Sequence, residues 1–336
     1  MIYPPALRPG DPVALIAPAG PVDAATIERA TRRCRELGLE PIPGAGVRAR
    51  KGYLAGSDRE RADDLTHAIE GEAAGIWALR GGYGTLRTLE HVDLTPLRER
   101  PKSFIGFSDN TVVHLALFRE GLVSFHGPHA GYEYFPPATE AAFRAVVMST
   151  GPAGALPVPD SARPRAVAAG AAEGPLVGGN LSLLAATCGT RYQPDARGAI
   201  LFIEDVAEPL YRIDRMLTQL RLAGLFDDVA AVAFGQFSHI DGLARHGVLD
   251  PEADAGDGDP DGGRSGVASS LHSLFTELTE PLGVPVAFGL PFGHGRENWT
   301  LPLGVPARLD AGAGTLELLE GATTATHEKA DEEADG

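Results

Sequence analysis

An α/β protein is predicted, with a doubly wound, mostly parallel N-terminal sheet and a smaller C-terminal α/β domain. Three observations carry this expectation. Short apolar runs alternate with segments of helical spacing through residues 1–150. A stretch rich in Pro, Gly and Ala at 151–166 (GPAGALPVPDSARPRA) interrupts the alternation. Strand-like and helix-like segments then resume over 167–321. Strand–helix alternation is the pattern of a parallel sheet covered on both faces, and 336 residues suffice for two units joined by a linker.

The elements follow in order. VALIA at 13–17 reads as a buried strand. Asp23 then offers a cap to the helix ATIERATRRCREL, which ends near Gly38. Ser57 and Glu60 form a capping-box pattern ahead of a second helix that runs to about Glu70. GIWAL at 75–79 and SFIGF at 103–107 read as strands, the latter followed at once by the helical run DNTVVHLALFRE. Past the linker come a strand AILFI at 199–203, a helix from about Pro209 to Leu222 and a strand VAAVAF at 229–234. In that helix Leu210, Ile213, Leu217 and Leu220 share one face. The acidic, glycine-rich stretch 241–266 and the polar tail 322–336 read as disordered.

Composition narrows the function classes. The formal net charge of −16 argues against a nucleic-acid partner, because phosphate binding needs a basic face. No apolar run reaches the roughly 18 residues of a membrane span, and the N-terminus MIYPPALRPGD has no signal-peptide core. A cytoplasmic protein is expected. Cys34 and Cys188 lie far apart without metal-ligand spacing, so neither a disulfide framework nor a zinc site is expected. Asp257, Asp259, Asp261 and Gly262 imitate the start of an EF-hand loop, but its twelfth position is Ala268 rather than a glutamate.

Two glycine-containing turns carry the strongest local signals. In Gly106-Phe107-Ser108-Asp109-Asn110 a serine stands between an apolar strand and a helix. There its oxygen can be exposed on a tight turn, and helix N-terminal amides point at the same spot. The α/β-hydrolase pattern G-x-S-x-G is not met, since Asn110 replaces the last glycine. The turn is therefore either a nucleophile site or a helix cap. Arg80-Gly81-Gly82-Tyr83-Gly84 follows the GIWAL strand and is either half of an oxyanion hole or a plain turn.

A serine nucleophile needs a base, usually a histidine oriented by a carboxylate. Glu204, beside Asp205 at the end of AILFI, and His294, between Gly293 and Gly295, can supply them. The alternatives are an ion pair of Glu204 with Arg212 or Arg215 and an ordinary surface role for His294. His114 falls six positions after Ser108 and faces away from it; His126 and His129 lack a matching carboxylate motif.

Taken together these stretches resemble a known family. LIAPAGPV, ALRGGYG, KSFIGFSDNTVVHL with HGP, GGNLSLLAATCGT, FIEDVAEPLYRIDRMLTQLRLAG and GLPFGHGRENWTLPLG occur in the order seen in LD-carboxypeptidases, serine peptidase family S66. That family also contains the microcin C self-immunity peptidases. The resemblance implies a triad of Ser108, Glu204 and His294. It implies an oxyanion hole from the amide of Asp109 and the turn at Gly81 and Gly82, and no cofactor or metal. It further implies a homodimer and a murein tetrapeptide substrate, cut between an L-centre diamino acid and terminal D-alanine. Arg80 and Glu208 are candidate substrate contacts. Two other functions remain open. One is cleavage of aminoacyl-nucleotide amides, for which Trp299 or Tyr192 would stack on a base; the other is a non-catalytic small-molecule binding protein.

Overall fold

The structure is a computed structural model and describes residues 1–240 and 262–325, without side chains at 262–269. The EF-hand-like aspartates, residues 241–261 of the acidic stretch and residues 326–336 of the tail lie outside the described residues.

The first half builds strands β1 (Pro12–Ile16), β2 (Glu40–Pro43), β3 (Gly75–Ala78), β4 (Ser103–Gly106) and β5 (Ser124–His126). Between and after them run helices α1 (Ala24–Glu36), α2 (Asp58–Glu70), α3 (Thr85–Thr88), α4 (Thr111–Arg119) and α5 (Pro137–Val147). The second half contains β6 (Gly154–Ala155), β7 (Arg165–Ala168), β8 (Ala171–Asn180), β9 (Ile200–Val206), β10 (Ala231–Ser238), β11 (Val286–Gly293), β12 (Leu301–Leu303), β13 (Pro306–Asp310) and β14 (Thr315–Leu318). Its helices are α6 (Leu181–Thr187), α7 (Leu210–Leu222) and α8 (Gly262–Thr279).

Local chemistry sets several boundaries as the sequence predicts. Asp23 accepts from the Thr26 amide at the start of α1, and Ser57 with Glu60 closes a full capping box on α2. In α7, Ile213, Leu217 and Leu220 are buried along one stripe. The first sheet runs β12-β5-β4-β3-β1-β2, parallel except for β12, which returns from the second half to pair antiparallel with β5. Its order around β1 is that of a doubly wound sheet, whose crevice lies beyond the carboxyl ends of the strands flanking the reversal. The second sheet runs β6-β14-β13-β8-β9-β10-β11-β7. Strands β8 to β11 are mutually parallel and the outer strands antiparallel.

At the level of the elements, the structure departs from the sequence reading in the linker, in the acidic stretch and in the tail. The stretch 151–166 contributes β6 and the start of β7, which pair with β14 and β11; its Gly and Pro content conceals short edge strands. Residue 262, read as part of a disordered stretch, begins α8. Ala322 is buried and Thr324 bridges to Pro5, so the chain is held by the N-terminal segment beyond residue 321.

A continuous apolar core joins Trp77, Ile105 and Phe125 of the first sheet to Phe202, Phe234 and Phe292 of the second. The carboxyl ends of the parallel strands of both sheets meet at one crevice.

Candidate active site

Ser108 directly follows β4 by two residues and has φ 62°, a left-handed backbone rarely adopted outside glycine. Holding a non-glycine residue there costs about 1–2 kcal/mol, and the turn is fixed from several sides. His114 Nε2 lies 2.8 Å from Gly106 O and its Nδ1 2.9 Å from Ser124 Oγ, so both ring nitrogens are engaged behind the turn. Phe107 packs its ring at 4.2 Å from that of His129 and 4.7 Å from that of His294. Neither Ser108 nor Asp109 caps the following helix: α4 has Asn110 at its N-cap position and no side-chain cap bond.

His294 and Glu204 come from the second sheet. Strand β9 runs through Glu204 rather than ending before it, because Asn180 of β8 pairs with Glu204 and Phe237 of β10 with Asp205. His294 follows β11, two strands away, and must cross the end of β10 to reach Glu204. A register shift in β10 and Gly293 at φ 96° allow the crossing. A β-carbon at Gly293 would lie 2.5 Å from Glu204 Oε2. Ser238 Oγ donates to His294 O at 2.8 Å, and Tyr132 OH to Gly295 O at 3.0 Å, which pin the loop in place.

The three side chains named from the sequence meet. His294 Nε2 stands 3.0 Å from Ser108 Oγ, and His294 Nδ1 stands 2.6 Å from Glu204 Oε2. Glu204 is fully buried and His294 keeps 15% of its side chain exposed, so the relay runs from the interior to the crevice. Burial disfavours the imidazolium of His294, but the Glu204 charge and hydrogen bond outweigh it and move the pKa above the ordinary 6.5. His126 and His129 move the other way, well below 6.5, because they are buried. Asp205, buried against Glu204, is raised to about 6.

Gly81 faces the serine. A β-carbon there would lie 2.8 Å from Ser108 Cβ, 2.9 Å from its Oγ and 3.3 Å from the Asp109 amide nitrogen. The absent side chain thus leaves free the space beside the hydroxyl and the amide. Gly82 has φ 118°, which only glycine adopts without strain, and Gly20 N donates to Gly81 O at 3.1 Å.

The crevice holds about 640 Å³ and is lined by Arg80, Gly81, Gly82, Ser108, Tyr132 and His294, among others. Glu133 and His239 join Arg80 there, so both signs of charge face the opening. Arg80 is exposed and donates to Pro21 O at 3.1 Å. Glu208 is not brought to the crevice lining; its carboxylate pairs with Arg212 at 3.2 Å. That pair involves Glu208, so Arg212 is not the partner of Glu204. Trp299 is fully buried and donates to Pro157 O at 2.7 Å, and Tyr192 lies in a separate pocket beside Arg119 and Arg191. Neither can stack on a base at this site; the aromatic residues at the crevice are Tyr132, Tyr134 and Phe107.

Sequence reasoning assigned no role to Asn180, Ser238 or Tyr132. Asn180 Nδ2 donates to Glu204 Oε1 at 3.3 Å and to Asp205 Oδ1 at 2.8 Å. Its signal was the GGN at 178–180, part of the motif set but without an evident chemistry.

A strained serine, a histidine and a buried carboxylate in hydrogen-bond sequence, at the mouth of a doubly wound sheet, have the geometry of serine-type hydrolases. The LD-carboxypeptidase N-terminal domain family matches residues 13–127 and the LD-carboxypeptidase C-terminal domain family residues 173–309. The chain belongs to the LD-carboxypeptidase family, S66. A probable murein peptide carboxypeptidase of Bacillus subtilis is 34% identical over 95% of this chain and 94% of its own. The murein tetrapeptide carboxypeptidase of Pseudomonas aeruginosa is 34% identical over 89% and 92%. Among solved structures, muramoyltetrapeptide carboxypeptidase from Oxalobacter formigenes superposes with a TM-score of 0.74 at 31% identity, covering 91% of this chain and 97% of that one. The microcin C7 self-immunity protein in its wild-type apo state superposes with a TM-score of 0.82 at 22% identity, covering 96% and 100%, a likeness of fold. Among the described residues, no helix is long and apolar enough to cross a membrane.

Proposed function

We propose that this protein is a serine-type LD-carboxypeptidase. It hydrolyses the amide between the L-centre of the diamino acid and the terminal D-alanine of murein tetrapeptide, in the recycling of cell-wall peptides. The observation that carries the reading is the unbroken chain from Ser108 Oγ through His294 to Glu204, with contacts of 3.0 and 2.6 Å. The substrate class rests on the names of the relatives and on a crevice that presents Arg80 and Glu133 to a ligand bearing both charges.

In this mechanism Glu204 holds the Nδ1 proton of His294 and stabilises the imidazolium that forms. His294 Nε2 takes the proton of Ser108 as its oxygen attacks the scissile carbonyl. The oxyanion enters the space left open by Gly81, against the Asp109 amide and the turn at Gly81 and Gly82. His294 then protonates the leaving amine of D-alanine. Water, deprotonated by the same histidine, releases the peptide from Ser108. A cytoplasmic homodimer completes the reading.

The test is incubation of the purified protein with murein tetrapeptide and, separately, with an aminoacyl sulfamoyl adenosine. Release of D-alanine from the first and no cleavage of the second is expected. Cleavage of the nucleotide conjugate alone would overturn the substrate assignment in favour of an immunity-type peptidase.

A further inference from the structure

Asp109 and Asn110 stand where helix-capping side chains normally stand, yet neither caps α4. At such positions Asp and Asn ordinarily accept from a free amide of the first turn. Here both side chains are turned away, towards the loop at residues 80–85. Asn110, fully buried, directs Nδ2 to Phe107 O at 3.1 Å, to His129 Nε2 at 3.0 Å and to Arg80 O at 3.4 Å. Asp109, 2% exposed, accepts through Oδ2 from the Thr85 amide at 2.8 Å and from the Thr85 hydroxyl. Arg80 opens the glycine loop and Thr85 closes it.

We propose that Asp109 and Asn110 are positioning residues that fasten the two ends of the glycine loop to the nucleophile turn, and so set the gap in which the oxyanion forms. This inference rests on the reading of Ser108 as nucleophile. The loop has glycines at 81, 82 and 84, two of them at positive φ, so its own backbone gives it little preference for one shape. Oxyanion stabilisation, in contrast, depends on donors placed before the reaction to within a fraction of an ångström. One peptide unit on the nucleophile side, the Asp109 amide, belongs to the same residue whose carboxylate grips Thr85. Movement of the loop relative to that amide therefore stretches the Thr85 contact at one end and the Arg80 contact at the other. Arg61 supports the far side without touching the nucleophile turn, donating to Gly84 O at 3.2 Å and to Pro18 O at 3.1 Å.

The distinguishing consequence is kinetic. A donor misplaced only for the tetrahedral oxygen lowers kcat and leaves KM where it was. The experiment measures kcat, KM and Tm for D-alanine release from murein tetrapeptide by wild type, Asp109→Ala, Asn110→Ala, Thr85→Val, Asp109→Asn and Ser108→Ala. Asp109→Ala and Asn110→Ala are expected to lose about 10- to 100-fold in kcat at unchanged KM. Asp109→Asn, which keeps an oxygen for Thr85, is expected to recover most of that loss. Thr85→Val, which is isosteric and keeps the backbone amide while removing the hydroxyl that Asp109 accepts, is expected to lose kcat in the same direction. Wild-type kcat in Asp109→Ala and Thr85→Val, with Ser108→Ala inert, overturns the inference and leaves the hydrolase reading standing. Losses that appear in KM, or that track a fall in Tm, overturn it as well. Undiminished turnover by Ser108→Ala overturns the reading itself.

Discussion

His294 is held between a buried carboxylate and a half-buried hydroxyl, and in the proposed mechanism its titration sets the acid side of the rate. The base must be neutral to accept the serine proton. Because Glu204 raises the His294 pKa above 6.5, the neutral fraction grows only as pH climbs past that value. The acid limb of kcat/KM is therefore expected above the ordinary imidazole range. Glu204→Gln removes the charge that favours the imidazolium, so the limb is expected to shift to lower pH while the plateau falls; a pH–rate profile of both proteins checks this. A limb that stays put in Glu204→Gln would assign it to another group. Gly293 offers a steric test at the same residue pair. A β-carbon at 2.5 Å from Glu204 Oε2, at φ 96°, cannot be accommodated without moving the carboxylate or the loop. Gly293→Ala is expected to lose at least about 100-fold in kcat, read from initial rates alongside a circular dichroism spectrum that confirms the fold. Of the triad, the residue types and their neighbourhoods were visible in the sequence, but the capping and ion-pair alternatives for Ser108 and Glu204 were equally consistent with it. Only the three-dimensional arrangement separates them, because Ser108, Glu204 and His294 are brought together by strands distant in the chain. Glu208 shows the limit from the other side: the family resemblance offers it as a substrate contact, yet the i,i+4 spacing to Arg212 supplies an ion partner first.

Helices were the most legible elements, since their ends carry chemistry in the sequence itself. Asp23 and the Ser57 and Glu60 pair mark the starts of α1 and α2 where the structure has them. Ser57→Ala removes the oxygen that accepts from the Glu60 amide at 3.2 Å. The expected cost is about 1 kcal/mol of stability with no change in kcat, because the box lies outside the crevice; a denaturation midpoint and an activity assay check the two halves. Strands interrupted by glycine and proline were hidden. No strand is predicted over AAEGPLVGGN, yet it forms β8 because β9 and β13 flank it on either side. Its terminal glycines serve approach rather than flexibility: a β-carbon at Gly179 would lie 2.4 Å from Thr111 Cγ2. Tertiary pairing overrides local propensity at such positions. The same holds for the edge strands β6 and β7.

Across the whole molecule, the two sheets share one core, and the second half lends a strand to the first sheet. β12 crosses from the second half into the first sheet, and the buried cluster runs from Trp77 to Phe292 without a break. Such a shared core couples the two halves. A single calorimetric transition is expected, with equal calorimetric and van't Hoff enthalpies; two resolved transitions would show that the shared core is not continuous in energy. The arrangement also explains why the site needs both halves, since Ser108 and the glycine loop belong to the first sheet and His294 with Glu204 to the second. The alternation of strands and helices announced the first sheet, whereas the crossing of β12 into it had no local signal, LPL being too short to read. The most direct measurement is the rate of D-alanine release from murein tetrapeptide by Ser108→Ala against wild type. A loss of about 10⁴-fold or more is expected for a nucleophile whose removal leaves only binding and the oxyanion site. Turnover by Ser108→Ala within a few-fold of wild type would contradict the assignment of Ser108 as the attacking group.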